Sequence, residues 1–467
     1  MKRHYLYTLL LAALVFLSAN LPNVLEKAKI FDINTDPLVP VLPETPYNYD
    51  IPFPSHVLFG GWDMVDSSII NNLITPDGAT LGRVLFYDKK LSSSNELACA
   101  TCHKQAFAFA DNTKFSIGIN ETQTTRNSPN LNDLAWQGGS IFFGEPGGNA
   151  MLFWDCRENN LDNMVLQPIL HQGELGKEMP VLIDKLENTT YYPELFQKAF
   201  GTSEITADRI GLALAQFVRS MSVFDSKFDK VMMGQEQFTQ QEEAGRMVFE
   251  SSCGFFCHTS SSFAVQFPLN NGLDSVCSDI GYQQVSGFET DNGKFKTPSL
   301  RNLSLTAPYM HDGRFATIEE VIDFYSEGLK PHPNSDISWM APDPTGFHFT
   351  NEQKADLKAF LLTLNSTDLI TDVRWSDPFQ PLNIAEPLPL GEKITVFPNP
   401  FNETTKLELT GDGTYEIRLT NLNGHVLRSF KAKKGTYSIE RSGLSPGVYL
   451  LEVHKSNRVT TQRVVLQ

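Results

Sequence analysis

The spacing of apolar positions changes twice along this chain. After a short apolar run from Tyr5 to Leu17, the segment 20–54 is rich in Pro, Asp and Asn without any period, which predicts an extended N-terminal arm. From there to Asp372 the spacing is helical. Gly82-Arg83-Val84-Leu85-Phe86-Tyr87 opens this part, Leu161 to Ile169 is amphipathic, and Ile210 to Phe224 carries apolar residues one helical turn apart. Glu242 to Phe249 repeats the opening, with Gly245 and Phe249 placed as Gly82 and Phe86 are. The pattern predicts a mainly α-helical tandem of two domains, 55–235 and 236–372, with the boundary near Met233 to Gln241. A Pro-rich linker follows over 373–393. Beyond it the period falls to two, in Lys406-Leu407-Glu408-Leu409, Tyr415-Glu416-Ile417-Arg418-Leu419 and Val448-Tyr449-Leu450-Leu451-Glu452-Val453. Turn signals at Asn423-Gly424 and Ser445-Pro446-Gly447 separate these runs, so 394–467 predicts a small antiparallel all-β domain, an immunoglobulin-like sandwich.

Composition narrows the setting. The length of 467 residues allows two or three domains, and 41% hydrophobic residues suffice for their cores. A formal charge of -16 argues against nucleic acid or an anionic membrane surface as partner. Lys2 and Arg3 precede the apolar run, which ends near Ser18-Ala19 and is short for a bilayer span, so 1–19 reads as a secretory signal peptide. No Cys follows that run, as a lipid anchor would need, and no later stretch is apolar enough for a membrane helix. An exported protein is expected.

Four of the six cysteines stand in two clusters, Cys99-Ala-Thr-Cys102-His103 and Cys253-Gly-Phe-Phe-Cys257-His258. The first has the C-x-x-C-H spacing in which two thiols add to the vinyl groups of haem and the adjacent His faces the iron. The second carries one extra residue, so its loop must bulge to do the same. A zinc site or a disulfide is the alternative for each cluster, and a local Cys253 to Cys257 bridge is the stronger rival in the second. Cys156 and Cys277 remain, either as a disulfide in an oxidising compartment or as two unrelated thiols.

Further motifs surround both clusters: Leu81-Gly82-Arg83-Val84-Leu85-Phe86-Tyr87, Arg126-Asn127-Ser128-Pro129, Phe153-Trp154-Asp155, and Glu174 after Gln167-Pro168-Ile169. Lys296-Thr297-Pro298-Ser299-Leu300-Arg301-Asn302 and Ala307-Pro308-Tyr309-Met310-His311-Asp312-Gly313 come later. With these, the stretch from about Leu81 to Leu364 resembles the dihaem cytochrome c peroxidase and MauG family. The C-terminal region, with Phe397-Pro398-Asn399-Pro400 and Gly443-Leu444-Ser445-Pro446-Gly447-Val448-Tyr449, resembles the type IX secretion sorting domain.

The resemblance implies two covalently bound haems c, the first peroxidatic and the second for electron transfer. It gives His103 and His258 as proximal ligands beside the thioether-forming Cys99, Cys102, Cys253 and Cys257. Many members have a distal His in the loop before Arg-Asn-x-Pro. Here that position is Ile119, and isoleucine cannot ligate iron, so an open first haem is expected; a shift of the alignment in this loop would put Asn120 or Glu121 there instead. The distal ligand of the second haem falls on Tyr325, where the family has Met in peroxidases and Tyr in MauG-type members. The alternative for Tyr325 is a packed core residue with its hydroxyl bonded to a carbonyl. Glu174 is the implied acid/base for cleaving the O–O bond, and Trp154 the implied relay between haems. A calcium ion held by Asn127, Thr306 and Pro308 is implied by the family alone.

The expected function is a secreted dihaem c-type peroxidase. It reduces hydrogen peroxide with electrons from a small redox protein, a cytochrome c or a cupredoxin, passed from the second haem to the first. The alternatives are a MauG-like oxidase acting on a protein or organic substrate through a high-valent dihaem state, and a non-catalytic dihaem electron carrier. The type IX machinery is an expected partner, the destination the cell surface or medium by way of the periplasm, and a homodimer is admitted.

Overall fold

The computed structural model describes residues 39–50, 56, 71–136, 151–222, 224–259, 263–265, 267–338, 340–379, 394–399, 401–421, 426–444, 447–455 and 458–466. The signal peptide and most of the arm lie outside the described residues. So do the Asn423-Gly424 turn and most of Ser445-Pro446-Gly447.

Two helix pairs organise the helical part. In the first, α1 (Pro76–Tyr87) starts at Thr75, whose hydroxyl accepts from the Gly78 N–H at 3.0 Å, and has Pro76 where no N–H is needed. It lies against α2 (Ala207–Arg219), itself capped by Thr206. In the second pair, α3 (Gln240–Ser251) and α4 (Asn351–Leu362) each open with a capping box, Thr239 with Glu242 and Thr350 with Gln353. Each crossing turns on one glycine. A methyl at Gly82 would strike the Ala213 carbonyl and the Cβ of Phe217, and one at Gly245 would strike the Asp356 carbonyl and the Cβ of Phe360. Both aromatic residues lie four positions after the carbonyl, so the two crossings share one geometry. Absence of a side chain lets the backbones touch, and the flanking Phe rings fill the space beside them.

The cores around these pairs are aromatic. Phe86 meets Phe109 and Phe217 at ring-centroid distances of 5.8 and 5.3 Å in the first, and Phe249 meets Phe263 and Phe360 at 5.8 and 5.1 Å in the second.

Several boundaries differ from the pattern. The amphipathic run Leu161 to Ile169 is two short helices, Leu161–Met164 and Gln167–Leu170, because Pro168 has no N–H to give to the preceding turn and sits instead at the start of a new helix. α2 ends at Arg219 rather than Phe224, where the Ser220 hydroxyl turns back to the Phe217 carbonyl at 2.6 Å. Phe228 packs with Phe238, Phe263 and Phe360, so the helix Lys227–Met232 joins the second core although it precedes the expected boundary. Leu369, Trp375 and Phe379 return to the first core, and Arg83, buried in α1, donates to the Ser376 carbonyl at 2.6 Å. The first seven residues expected as linker are thus packed structure. Of the arm, 41–50 is irregular, and Tyr49 is buried against Phe217.

The C-terminal all-β region has two antiparallel sheets. One has the order β1 (Ile394–Phe397), β2 (Thr404–Leu409), β5 (Gly435–Glu440). The other has β4 (Val426–Ala432), β3 (Tyr415–Asn421), β6 (Gly447–Lys455), β7 (Arg458–Leu466). Leu407, Leu409, Ile417, Leu419, Leu451 and Val453 sit two apart on their strands and share one core, which is what the alternation predicts. Among the described residues no helix is long and apolar enough to cross a membrane.

Candidate functional site

Each Cys-His cluster caps a cavity, and the two loops close in different ways. Cys99–Cys102 is one helical turn, and the His103 N–H donates to the Cys99 carbonyl at 2.9 Å, an i to i+4 closure. In the second loop the His258 N–H donates to the Cys253 carbonyl at 3.1 Å across one more residue, an i to i+5 closure. The same terminal hydrogen bond is kept, and the extra residue widens the ring. Gly254 adds a bond from its N–H to the Phe249 carbonyl at 2.7 Å, anchoring the wider turn to the end of α3.

Both imidazoles are oriented alike. His103 Nδ1 donates to the Phe109 carbonyl at 2.9 Å, and His258 Nδ1 to the Phe263 carbonyl at 2.6 Å. The carbonyls are presented by residues with positive φ, Phe109 at 60° and Phe263 at 54°. Burial holds both rings neutral, pushing His258 down to about 4. A neutral ring that donates from Nδ1 leaves the Nε2 lone pair for a metal, which is how a ligating His is fixed.

No disulfide joins any of the six cysteines, neither Cys253 with Cys257 nor Cys156 with Cys277. Burial raises Cys99 and Cys257 to about 12 and Cys102 to about 11. Among the described residues no three His, Cys, Asp or Glu side chains converge as a metal ligand set. Two thiols beside one axial imidazole on a largely apolar cavity do fit haem.

The cavities differ in the side chains that line them beside the imidazole. The first, of about 780 Å³, is lined by Cys99, Cys102, His103, Glu174, Met164 and apolar side chains such as Phe86, Leu161 and Val218. Among the described residues Glu174 is its one carboxylate. Burial raises its pKa, while nearby His171 and Arg157 pull the other way. His171 Nδ1 lies 3.4 Å from Glu174 Oε1. Ile119 does not line the cavity. It is buried in a short 3-10 turn whose N–H donates to the Glu174 carbonyl at 2.9 Å, and its neighbour Gly118 forms the wall.

The second cavity, of about 1270 Å³, is lined by Cys253, Cys257, His258 and Tyr325. Tyr325 is on the helix Ile318–Glu327, and its hydroxyl oxygen accepts from the Asn271 amide at 3.1 Å. That partner is a donor rather than the carbonyl expected of a core tyrosine, and it leaves an oxygen lone pair for another centre. Burial raises the phenol pKa well above its ordinary value. The same amide lies 3.6 Å from Met310 Sδ, and Met340 also lines this cavity. Sequence reasoning missed Asn271, Met164 and His171. No motif marks them, and only their place on the cavity walls singles them out.

The segment after Arg126 runs between the cavities. Asn127, Pro129 and Asn130 line the second, and Ser128 and Leu131 line the first. Arg126 pins it with bonds of 2.6 Å to Asp155 and 2.6 and 2.8 Å to Asp279. Trp154 lines the second cavity and donates from its indole to the Asn127 carbonyl at 2.8 Å. Thr306 and Pro308 line the same cavity as Asn127. The Asn127 amide nitrogen is turned to the carbonyls of Thr113 and Lys114, which leaves its oxygen as an acceptor with no hydrogen bond among the described residues.

Residues 76–237 match the family model for di-haem cytochrome c peroxidase, and 395–467 that for a secretion system C-terminal sorting domain. The chain is 31% identical over 310 residues to the methylamine utilization protein MauG of Methylorubrum extorquens, covering 63% of this chain and 80% of that protein. It is 32% identical to cytochrome c551 peroxidase of Nitrosomonas europaea, over 54% of this chain and 74% of the relative. The crystal structure of a MauG-like protein associated with microbial copper homeostasis superposes with a TM-score of 0.60 and 31% identity, over 72% of this chain and 100% of the other. The chain belongs to the di-haem cytochrome c peroxidase and MauG family, a family of oxidoreductases with two haems, and it ends in a secretion sorting domain.

Proposed function

We propose that this protein reduces hydrogen peroxide to water in the first cavity, using electrons that a small redox protein delivers to the second. The asymmetry of the cavities carries this reading: Glu174 stands only in the first and Tyr325 only in the second. Bound haem supplies an iron at which peroxide can be reduced and through which electrons pass singly. His103 and His258 would ligate the two irons, with thioethers from Cys99, Cys102, Cys253 and Cys257, and the Tyr325 oxygen would be a further ligand of the second. Glu174 takes the proton from one peroxide oxygen and gives it to the other, a role suited to a carboxyl with a raised pKa in an apolar setting. Trp154 would relay electrons, a role supported by its place on the wall of the second cavity and by its indole bond to the Asn127 carbonyl.

The reading extends to the rest of the chain. The matched glycine crossings of α1 on α2 and α3 on α4 support two tandem haem domains, and the paired sheets support an immunoglobulin-like sandwich. The Asn127 amide oxygen, with the Thr306 and Pro308 carbonyls, supports a calcium site between the domains. The sorting domain supports export by the type IX route, after removal of 1–19, to the cell surface or medium. A steady-state assay of peroxide consumption, with reduced cytochrome c against an artificial donor, tests the activity. The ferric spectrum accompanies it: a high-spin component is expected, and two low-spin haems in every redox state would leave the electron-carrier reading instead.

A MauG-like oxidase is the second reading, favoured by the Asn271 amide that holds the Tyr325 oxygen. Peroxide-driven oxidation of an organic substrate without a donor protein would select it.

A further inference from the structure

Reduction of one hydrogen peroxide breaks the O–O bond, forms two waters and takes up two electrons and two protons. The donor supplies the electrons. Glu174 can shift a proton from one oxygen to the other, but the two protons consumed in each turnover must come from water outside the cavity.

We propose that His171 is the proton entry of the first cavity, passing protons from bulk solvent to Glu174 Oε1. The inference rests on the reading of Glu174 as acid/base. Its basis is the contact of 3.4 Å between His171 Nδ1 and Glu174 Oε1, together with a gradient of exposure: the imidazole is 65% exposed and the carboxylate 34%. One end of the pair faces solvent and the other lines the cavity. The pair is held by the backbone, since the N–H groups of Glu174 and Gly176 both donate to the His171 carbonyl, at 3.0 and 2.9 Å. Gly173 leaves the imidazole room to move. A methyl there would sit 3.1 Å from His171 Cε1 and 3.3 Å from the Thr122 methyl carbon. An imidazole is the side chain suited to the task, because it takes and gives protons near neutral pH and has two nitrogens, one for solvent and one for the carboxylate. The charged or titratable groups that act on Glu174 are His171 itself and Arg157, with the Cys99 and Cys102 thiols on the same cavity.

The test compares the holoenzyme with His171→Ala, His171→Gln and Glu174→Gln, and reads two rates. One is the reaction with peroxide. The other is cyanide association, which involves no turnover but requires hydrogen cyanide to release its proton within the cavity. His171→Ala and His171→Gln should each slow both rates about tenfold near neutral pH and raise the solvent isotope effect. Added 2,6-dimethylpyridine, a hindered base too crowded to bind iron well, should restore both in proportion to its concentration. If His171→Gln behaves as the unaltered enzyme while His171→Ala is slow, the residue only positions Glu174 and the relay is overturned. It is overturned equally if both His171 variants keep full rates while Glu174→Gln is slow, and then the acid/base reading stands. Full rates in Glu174→Gln would remove that reading and the relay with it.

Discussion

The two Cys-His clusters solve one problem with different lengths of chain. Each must put two thiols and an imidazole on the wall of a cavity, and each ends with the His N–H on the carbonyl of the first Cys, four residues back in one and five in the other. Both rings are then fixed by a carbonyl from a residue with positive φ. What is kept is the hydrogen bond that closes the loop and the one that orients the ring. What varies is the loop between, and the other side chains that line the cavity. The Cys-His half is therefore common scaffolding, and the distinction between the two sites lies in other lining residues, Glu174 in one and Tyr325 in the other.

The strongest way to break that distinction is to remove its acid. Glu174→Gln keeps the shape of the side chain and loses proton transfer, so the reaction of the oxidised enzyme with peroxide should slow roughly a hundredfold or more, about 2.7 kcal/mol of barrier. Stopped-flow mixing with peroxide measures it. An oxidised enzyme that is inert until half-reduced would instead mean that the first iron is closed. Met164, which lines that cavity with a thioether, would be the residue to change next.

Altering the second cavity should have the next largest effect. On the proposal that Tyr325 ligates the second iron as a phenolate, Tyr325→Met puts a neutral sulfur that favours ferrous iron in its place. The second haem's potential should rise by on the order of 0.1 V, within the ~0.8 V span that axial ligands set. Tyr325→Phe should leave that iron open. Redox titration with magnetic circular dichroism reads both changes, and an unaltered second-haem spectrum in the Phe variant would remove Tyr325 from the site.

Much of this was legible in the sequence, for particular reasons. The Cys-His loops are local, so their chemistry survives in a linear reading, and the β region announces itself because alternation maps directly onto one buried face. The repeat of Gly82 and Phe86 in Gly245 and Phe249 was visible, although the carbonyls those glycines meet, 131 and 111 positions further on, were not. The exchange at the domain boundary was hidden for the same reason. Phe228 and Trp375 are apolar residues beside polar ones, and nothing local tells which core each joins. Asn271 and His171 act through single contacts made in three dimensions, and neither residue type is unusual in its segment.

Those glycines allow a test of whether the helical halves are built alike. Gly82→Ala and Gly245→Ala each push a methyl into a carbonyl that cannot move without its helix, so each should cost about 1–3 kcal/mol. The costs should be similar because the second obstacle, the Cβ of Phe217 or Phe360, is placed alike. Denaturant unfolding of the holoprotein monitored at the haems measures the pair. A large cost at one glycine and none at the other would show that the crossings only look equivalent.

The smallest effect is expected where the two loops differ. Phe255 is 70% exposed in the Cys253 loop, so its side chain contributes little to the core, whereas Phe256 rests on Phe267 at a ring-centroid distance of 5.3 Å. Deleting Phe255 converts the second loop to the spacing of the first, Cys-x-x-Cys-His, and should turn the i to i+5 closure into i to i+4. If the hydrogen bond to the Cys253 carbonyl governs the site, both thioethers survive the deletion and stability changes by less than about 1 kcal/mol, the range of a surface alteration. Intact mass after denaturation should show two covalent haems in the unaltered protein and in the deletion alike. Two haems in the former and one in the latter would mean that the wider loop is required by its surroundings, through Gly254 and the end of α3. A single haem in both would return Cys253 and Cys257 to another role.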